Sequence, residues 1–594
     1  MNWSIYSRFV GNVFGAPLAI EGLAARQGLR LWRRCRIVGQ TPPDNISREA
    51  QPVEEEPEHG TINLRRLGWL LLGAAFAAFA GTFTAQSATT RTATAPTLVI
   101  DNSFTLQSSD PQRAFDPTAS IVDRAVYDTL FTYEGADLAH PRPLLVQSWS
   151  ASTDEKTFTF RLKRNVHFAD GTPLTAADVV FSLDRLVNLK GSPSFLLSGV
   201  TISAKGKYGV VMHAATPESQ LPAILASPST GIVNSKLLRK HGGSDEVGAD
   251  TSDTAESFLN SSASVGAGSG PYTLSSYSTT SQVTLVPNSR YWGTKRAAFK
   301  AVVVRNMIAT TQLINVQRGT HEIAIDLSAD QAQTLRGSKK VVVSLRPSTW
   351  IFYLFANDNP QISSVTSNKQ FQRAVRFALD YKGILTVAGP GAIQAPGIIP
   401  SMILGALSQK NAITQDLLKA KSALAASGVG DQHVTLEYPT DLTINGVSFT
   451  SLAQKVQANL QAAGFNISLS GSPTATYVPK FRAGKVAFGF SVWAPDYPDP
   501  SDYLAFVPGG LVGLHAGWPA GGDPAIERLA AEARVATTPA SRASLYRQLQ
   551  LALNERGPFF PLLQPTQVFA ATADLTNAVY NGEYGVDVTA ISPR

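Results

Sequence analysis

Alternating apolar and polar residues predict strands in the first half of the chain. Phe158, Phe160 and Leu162 alternate with polar residues, which places their side chains on one face of a strand. Thr175 and Asp178 match a capping box, so a helix is predicted over 179–187 and Asp178 is explained as part of its cap. Further predictions are strands over 98–100, 270–274, 283–286, 302–304 and 341–345, a helix over 123–131, and turns at 133–135 and 170–171.

Helix and strand patterns follow one another in the second half of the chain. The predicted elements are strands over 351–355, 434–438 and 465–469, and helices built on Phe371, Val375 and Leu379, on Leu452, Val456 and Leu460 with a stop at Gly464, and on Leu545, Leu549 and Leu553. This β-α-β order predicts a parallel sheet. The apolar run over 488–493 is expected to be one of its strands.

Pro495 ends the run over 488–493 abruptly, and the following loop contains Asp496, Asp499 and Asp502 among tyrosines and prolines. An α/β protein places ligand sites at strand ends of this kind. Two interpretations are open from the residues alone. The loop is either a solvated surface connection, or it aims one carboxylate between two domains to pair with a ligand cation, which restores the solvation that the carboxylate loses.

On the second interpretation, aromatic residues supply apolar walls beside the carboxylate. Trp493, Tyr497 and Trp350 are the candidates, since aromatic side chains dominate the lining of small-molecule sites.

Length and charge limit the classes of protein. At 594 residues the chain is too long for one core, so two or more domains are expected. The net charge of +7 is modest, and no long basic run follows residue 70, so nucleic acid is not an expected partner.

Residues 241–270, rich in Gly, Ser, Asp and Ala, are predicted to form a loop or a locally flexible segment.

The N-terminal region contains an export signal. Residues 67–85 are apolar and uncharged and follow Arg65 and Arg66, which predicts a signal peptide within 65–88. An uncleaved membrane anchor is the open alternative, because the run nearly reaches the length that spans a bilayer. Both the signal peptide and the membrane anchor would place the residues that follow them outside the cytoplasm, in the periplasm or an equivalent space. Residues 1–64 are expected to be a disordered extension or a misassigned start, and 86–97 a linker.

Catalytic and metal-binding motifs are absent from the sequence. The eight histidines never pair at ligand spacing, and the one cysteine, Cys35, lies in the N-terminal extension, which excludes disulfides and Cys-based zinc sites. There is no G-x-S-x-G elbow, phosphate-binding loop or dinucleotide fingerprint. We therefore expect no catalytic residues, no metal and no cofactor.

Several separate segments together resemble the family 5 extracellular solute-binding proteins of ABC importers, typified by oligopeptide- and dipeptide-binding proteins. The segments are 166–182, 268–272, 287–293, 371–380 and 488–504, and the resemblance extends over about 98–564. It implies an α/β, two-lobed periplasmic-binding-protein-like fold of type II, with an extra inserted domain. The expected ranges are 95–140, 265–346 and 561–594 for lobe I, 141–264 for the inserted domain and 347–560 for lobe II.

The resemblance also implies a function. The lobes would close on a peptide by a hinge motion and deliver it to a membrane permease. In peptide-binding members, the aspartate of a W-x-x-D-Y motif binds the α-ammonium group, and that aspartate corresponds to Asp496 here. Asp499 and Asp502 are then expected to have a structural role. The protein is expected to be a monomer.

Two alternatives stay open. The same fold also binds sugars, opines, chelated nickel or haem, or serves as a membrane-anchored sensor or chaperone without import.

Overall fold

The computed structural model describes residues 95–594, and all of these residues belong to one compact unit. The predictions for the 1–64 extension, for the 65–88 signal or anchor and for most of the 86–97 linker lie outside the described residues. Within 95–594, no helix combines the length and the apolar character needed to cross a membrane.

Lobe I is built on a seven-stranded sheet. Its central strand, Thr97–Asn102, buries Leu98 and Ile100 completely and lies between two parallel neighbours. In spatial order the strands are Val341–Pro347, Thr566–Thr572, Glu322–Ala324, Thr97–Asn102, Ala301–Asn306, Gln282–Pro287 and Tyr272–Ser276, and the helices are Pro117–Val126, Ala309–Arg318 and Ala329–Gln333. The strands predicted in the first half of the chain for this sheet are confirmed, except that the one predicted over 270–274 begins two residues later, at Tyr272.

Lobe II is built on a six-stranded sheet. Its strand Phe488–Trp493 is parallel to Val434–Pro439 and antiparallel to Ile351–Ala356. The sheet is therefore mixed, whereas the sequence predicts a parallel sheet. The β-α-β unit is confirmed, because Val434–Pro439 pairs in parallel with Ile467–Ser472. The strands, in spatial order, are Ile393–Gln394, Phe559–Gln564, Ile351–Ala356, Phe488–Trp493, Val434–Pro439 and Ile467–Ser472.

Helices cover the lobe II sheet. They are Lys369–Ala378, Tyr381–Ala388, Leu417–Ser427, Phe449–Ala462, Thr474–Arg482, Leu511–His515, Pro524–Val535 and Pro539–Arg556, with 3-10 turns at Gln409–Asn411 and Pro500–Phe506. The strand predicted over 465–469 begins two residues late, since the Phe465 N–H still bonds the Leu460 carbonyl at the helix end (3.1 Å).

The inserted domain contains a four-stranded antiparallel sheet. Phe158, Phe160 and Leu162 all point into its core, as the alternation predicts. The capping box is also confirmed, because Asp178 accepts the Thr175 N–H (2.9 Å). The strands, in spatial order, are Val146–Ala151, Thr157–Leu162, Gly209–Ala214 and Val200–Ala204, and the helices are Ala176–Asn188, Leu221–Ile224, Ser235–Lys240, Ala249–Ser252 and Glu256–Leu259, with 3-10 turns Ser192–Leu197, Pro228–Thr230 and Ser262–Gly266.

Four two-stranded antiparallel sheets complete the described chain, and three of them are hairpins. They pair Phe131–Glu134 with Asp137–Pro143, Thr443–Ile444 with Val447–Ser448, Leu575–Thr576 with Ser592–Pro593, and Tyr580–Asn581 with Gly585–Val586.

The helix predicted over 123–131 is misplaced. It spans Pro117–Val126, because Pro117 occupies its first turn and Asp116 accepts the Ala119 N–H as its N-cap (2.9 Å). The helix ends where two glycines approach its last carbonyls. The Gly270 N–H bonds the Val126 carbonyl (2.9 Å), and a Cβ at Gly268 would lie 2.1 Å from that oxygen.

The prediction of a loop over 241–270 is wrong, and the alternative of a locally flexible segment stays a prediction. The segment contains two short helices and a 3-10 turn, and its Asp253 lies in a buried ion cluster. There Arg185, with a side chain that is 0% exposed, bonds Asp253 through Nε (2.7 Å) and Asp110 through Nη2 (2.6 Å). A compositional argument does not detect a buried ion pair of this kind, because Asp253 and Arg185 are far apart in the sequence.

The two lobes are connected by two chain crossings that lie side by side. The Ser348 N–H bonds the Pro565 carbonyl (2.8 Å), and the buried Gln564 amide donates to the Ser348 carbonyl (2.9 Å). Strand Phe559–Gln564 lies wholly in the lobe II sheet, whereas the expected boundary at 560/561 cuts it. We therefore propose that lobe I resumes at Thr566; the other lobe limits stay a prediction.

Gln564→Leu is expected to destabilise the protein by about 1–3 kcal/mol. The substitution removes the donor to the Ser348 carbonyl and the acceptor of the Ser401 N–H (3.0 Å), and it leaves the carbonyl of the buried Ser348 without this partner. Urea unfolding measures the effect. Gln548→Leu, on the exposed face of Pro539–Arg556, is the matched control and should change the free energy of unfolding by less than about 0.5 kcal/mol. Equal midpoints for both variants would contradict the assigned role of Gln564.

Candidate functional site

A cavity of about 300 Å³ lies between the two lobes. Lobe II contributes Trp493 and Asp496 from the end of the strand Phe488–Trp493, and the chain crossing contributes Trp350. The volume is at the lower end of the roughly 300–1,000 Å³ of small-molecule sites. Three of the four side chains predicted from the sequence are thus brought together at one cavity.

Tyr497, the fourth, lines an adjoining cavity of about 320 Å³ between lobe II and the inserted domain. Its ring packs against the core of the inserted domain, and its hydroxyl lies 3.3 Å from Ser501 Oγ. Trp493 and Asp496 line both cavities. The loop from 494 to 499 therefore separates two spaces, and Tyr497 faces the second of them.

Two carboxylates hold this loop in place. Asp502 accepts the indole N–H of Trp493 (2.6 Å) and the backbone N–H of Asp496. Asp499 accepts the Ser501 N–H (2.9 Å) and pairs with Arg542. Both aspartates are structural, as expected, and they leave Asp496 as the carboxylate of the loop that faces the main cavity.

Burial changes the proton affinity of Asp496. The half-buried carboxyl has a pKa raised to about 7, first because of burial and second because of the negative charge of Glu583. Among residues 95–594, no lysine, arginine or histidine nitrogen forms an ion pair with it. A cationic group on a ligand would offset both the burial and the negative charge of Glu583, and would favour the ionised form of Asp496.

Sequence reasoning missed two acidic and two basic side chains of the cavity: Glu583, Asp116, Arg482 and His515. Burial raises the pKa of Glu583 to about 8 and that of Asp116 to about 6. Burial, and then the neighbouring Arg482, lowers the pKa of His515 to about 4, so its imidazole is neutral at pH 7. The Asn-Gly turn at 581–582 was visible in the sequence, but its position opposite Asp496 depends on tertiary structure.

Aromatic side chains form the apolar part of the lining. Trp350 and Trp493 share it with Tyr353 and Phe481, and Tyr353 is buried among the aromatic rings of lobe II. Within the described part of the chain, no group of three or more His, Cys, Asp or Glu side chains is arranged to hold a metal ion. The arrangement suits the enclosure of an organic solute with a cationic group.

Two lobes joined by two crossings, with an aromatic and acidic cavity between them, define a two-lobed solute-binding protein. The sequence profile of the bacterial extracellular solute-binding proteins, family 5, matches residues 140–510, and the chain belongs to this family. This is a family of solute-binding proteins rather than of enzymes.

Relatives and solved structures agree with this assignment. A probable D,D-dipeptide-binding periplasmic protein of Escherichia coli K12 is 27% identical over 502 residues, covering 82% of this chain and 91% of the relative. The DppA protein of Helicobacter pylori in complex with the peptide STSA has a TM-score of 0.65 at 19% identity, covering 84% of this chain and 98% of that one. The AgaA protein of A. tumefaciens R10 with agropinic acid has a TM-score of 0.66 at 21% identity, covering 84% and 99%. The two-lobed fold is therefore confirmed.

Proposed function

We propose that this protein captures a peptide between its lobes, outside the cytoplasm, and delivers it to the membrane permease of an ABC importer. The observation that supports a peptide is the Asp496 carboxylate, which lines the interlobe cavity without an ion-pair partner among the described residues. A peptide's α-ammonium group supplies the missing charge, and Trp493 and Trp350 pack against its first residues.

The proposal includes a partner and a location. Closure of the lobes on the peptide creates the surface that a permease recognises, because only the closed state has both lobes fixed relative to each other. The protein acts as a monomer, either released after cleavage within 65–88 or anchored through 67–85. N-terminal sequencing of the mature protein distinguishes cleavage from anchoring.

A non-peptide solute is the second candidate. The similar fold of AgaA holds agropinic acid, so an opine is a specific alternative. Asp496 would then bind another cationic group in place of the α-ammonium.

A thermal-shift screen tests the proposal. Purified protein is heated with di- to pentapeptides, sugars and opines at concentrations well above micromolar. A ligand at 100 times its Kd stabilises the folded state by about 2.7 kcal/mol, which gives a measurable rise in Tm. Stabilisation by peptides is the expected result, and stabilisation by opines or sugars alone would refute the peptide assignment.

Peptide affinity is expected to fall about 10- to 100-fold between pH 7 and pH 5. The Asp496 carboxyl, with its pKa raised to about 7, is protonated at the lower pH, so the α-ammonium must displace a proton there, and affinity decreases as pH falls. Protonation of Glu583 and Asp116 in the same cavity also lowers the affinity for a cation as pH falls. His515 stays neutral and Arg482 charged over this range. Calorimetry at both pH values measures the change, and an affinity that rises at pH 5 would contradict it.

A further inference from the structure

Lobe I places a second carboxylate in the cavity that Asp496 lines from lobe II. This group is Glu583, at the turn between Tyr580–Asn581 and Gly585–Val586. The Asn581 side-chain oxygen accepts the N–H groups of Glu583 (2.8 Å) and Tyr584 (3.0 Å). Gly585 follows with a φ of +66°, a conformation that suits glycine. The local sequence therefore builds a tight turn with the glutamate at its tip.

Buried contacts on both sides fix this turn. The Asn581 amide donates to the Gly135 carbonyl (2.7 Å). The Tyr584 side chain is fully buried, and its hydroxyl accepts the Tyr133 N–H (2.9 Å). Glu583 is thus held on a rigid part of lobe I, as a residue that recognises a ligand needs to be.

The charges around the cavity are unbalanced. Its described lining contains three carboxylates, those of Asp116, Asp496 and Glu583, and one guanidinium, that of Arg482. Oδ1 of Asp116 accepts the N-cap hydrogen bond of the helix Pro117–Val126. Its Oδ2 has no hydrogen-bond partner among the described residues, although the residue is only 6% exposed. Within residues 95–594, Glu583 has no ion-pair partner, and the Ser227 hydroxyl is its hydrogen-bond neighbour.

One α-ammonium group cannot balance this lining. It neutralises a single carboxylate, and the second, Glu583, whose pKa burial raises to about 8, stays largely protonated at pH 7 and keeps no ion-pair partner among residues 95–594. A second cation on the same ligand favours the ionised form of Glu583 and gives that carboxylate a partner. It also bridges residues of opposite lobes, so the charge of the ligand favours the closed state.

We propose that the cleft prefers peptides with a second cationic group near the α-ammonium, such as a basic side chain on the first residue, and that Glu583 is the residue that selects this charge. The inference rests on the proposed function, because it takes the ligand to be a peptide whose N-terminus meets Asp496.

Paired peptides test the proposal. Calorimetry compares Lys-Ala and Lys-Ala-Ala with their norleucine analogues, which keep the four-carbon side chain of lysine but lack its ammonium group. Wild-type protein should bind the lysine peptides at least about tenfold more tightly. Glu583→Gln should abolish this preference while changing the affinity for the norleucine peptides by less than about threefold. Glu134→Gln, an exposed glutamate of the same lobe, should behave like wild type.

The outcomes separate the two proposals. Equal binding of lysine and norleucine peptides by wild-type protein overturns the charge preference and leaves the peptide function in place. A preference that persists in Glu583→Gln removes Glu583 from the selection and overturns the inference. Failure of all these peptides to bind, with stabilisation by an opine or sugar instead, overturns the proposed function and this inference together.

Thermal unfolding without added peptide gives an independent readout. The pKa of Glu583 is raised in the folded protein, so its ionisation weakens folding as pH rises from its ordinary pKa through about 8. The difference in Tm, Glu583→Gln minus wild type, should therefore become more positive between pH 5 and pH 8. Asp116, Asp496, Arg482 and His515 face the same cavity and are common to both proteins. A difference that does not change with pH would contradict the placement of Glu583.

Discussion

Asp496→Asn is expected to weaken peptide binding by about 30- to 5,000-fold, equivalent to about 2–5 kcal/mol. Asparagine keeps the shape of the loop and of the cavity wall but removes the charge that meets the α-ammonium group. The cost is large because the α-ammonium would lose the carboxylate that meets it while it is desolvated against Trp350 and Trp493. Calorimetry with the tightest peptide from the thermal-shift screen measures the loss.

Asp431→Asn is the matched control for this variant. Asp431 is an exposed aspartate of lobe II in the turn that precedes Val434–Pro439, so its substitution should leave affinity unchanged. The Tm of Asp496→Asn in the absence of peptide should equal or exceed that of wild type, because the raised pKa of Asp496 marks a carboxylate that is costly to ionise in the fold. Unchanged affinity in a folded Asp496→Asn protein would remove Asp496 from the binding site.

Arg185→Met is expected to destabilise the protein by about 3–5 kcal/mol, the cost of removing one partner from a buried ion cluster. Arg185 donates through three nitrogens to Asp110 and Asp253, and its Nη1 also bonds the Gln112 side-chain oxygen (2.8 Å). Methionine fills part of the space, but the two buried carboxylates then have Arg113 as their remaining cationic partner. The cluster joins the inserted domain to the segment that follows the first strand of lobe I, so their packing depends on it.

Chemical denaturation compares this variant with Arg528→Met. Arg528 lies on an exposed face of Pro524–Val535, 3.9 Å from Glu532, and a surface pair of this kind contributes about 0–1 kcal/mol. A shift of the Arg185→Met midpoint no larger than that of Arg528→Met would show that the cluster does not stabilise the fold.

Local patterns predict much of this fold because they depend on contacts near in sequence. The alternation at Phe158, Phe160 and Leu162 and the capping box at Thr175 and Asp178 are complete within a few residues, and both are confirmed. The abrupt end of Phe488–Trp493 is equally local.

Long-range contacts explain what the sequence did not predict. Residues 241–270 look like a loop because their small polar residues leave no periodic apolar face, yet Asp253 pairs with Arg185 in a buried cluster. Glu583 lies in an ordinary turn, and only the packing of the two lobes places it in the cavity of Asp496. Tyr497 follows Asp496 directly, but the loop turns it toward the inserted domain.

Blocking the α-amino group of the peptide tests the central claim most directly. Calorimetry on the purified protein compares one peptide with its N-acetylated form, which differs in the charge that Asp496 is proposed to bind. Acetylation is predicted to weaken binding at least about 30-fold, the lower limit for breaking a buried charge pair. Equal affinity for the two forms would contradict recognition of the α-ammonium group by this cleft.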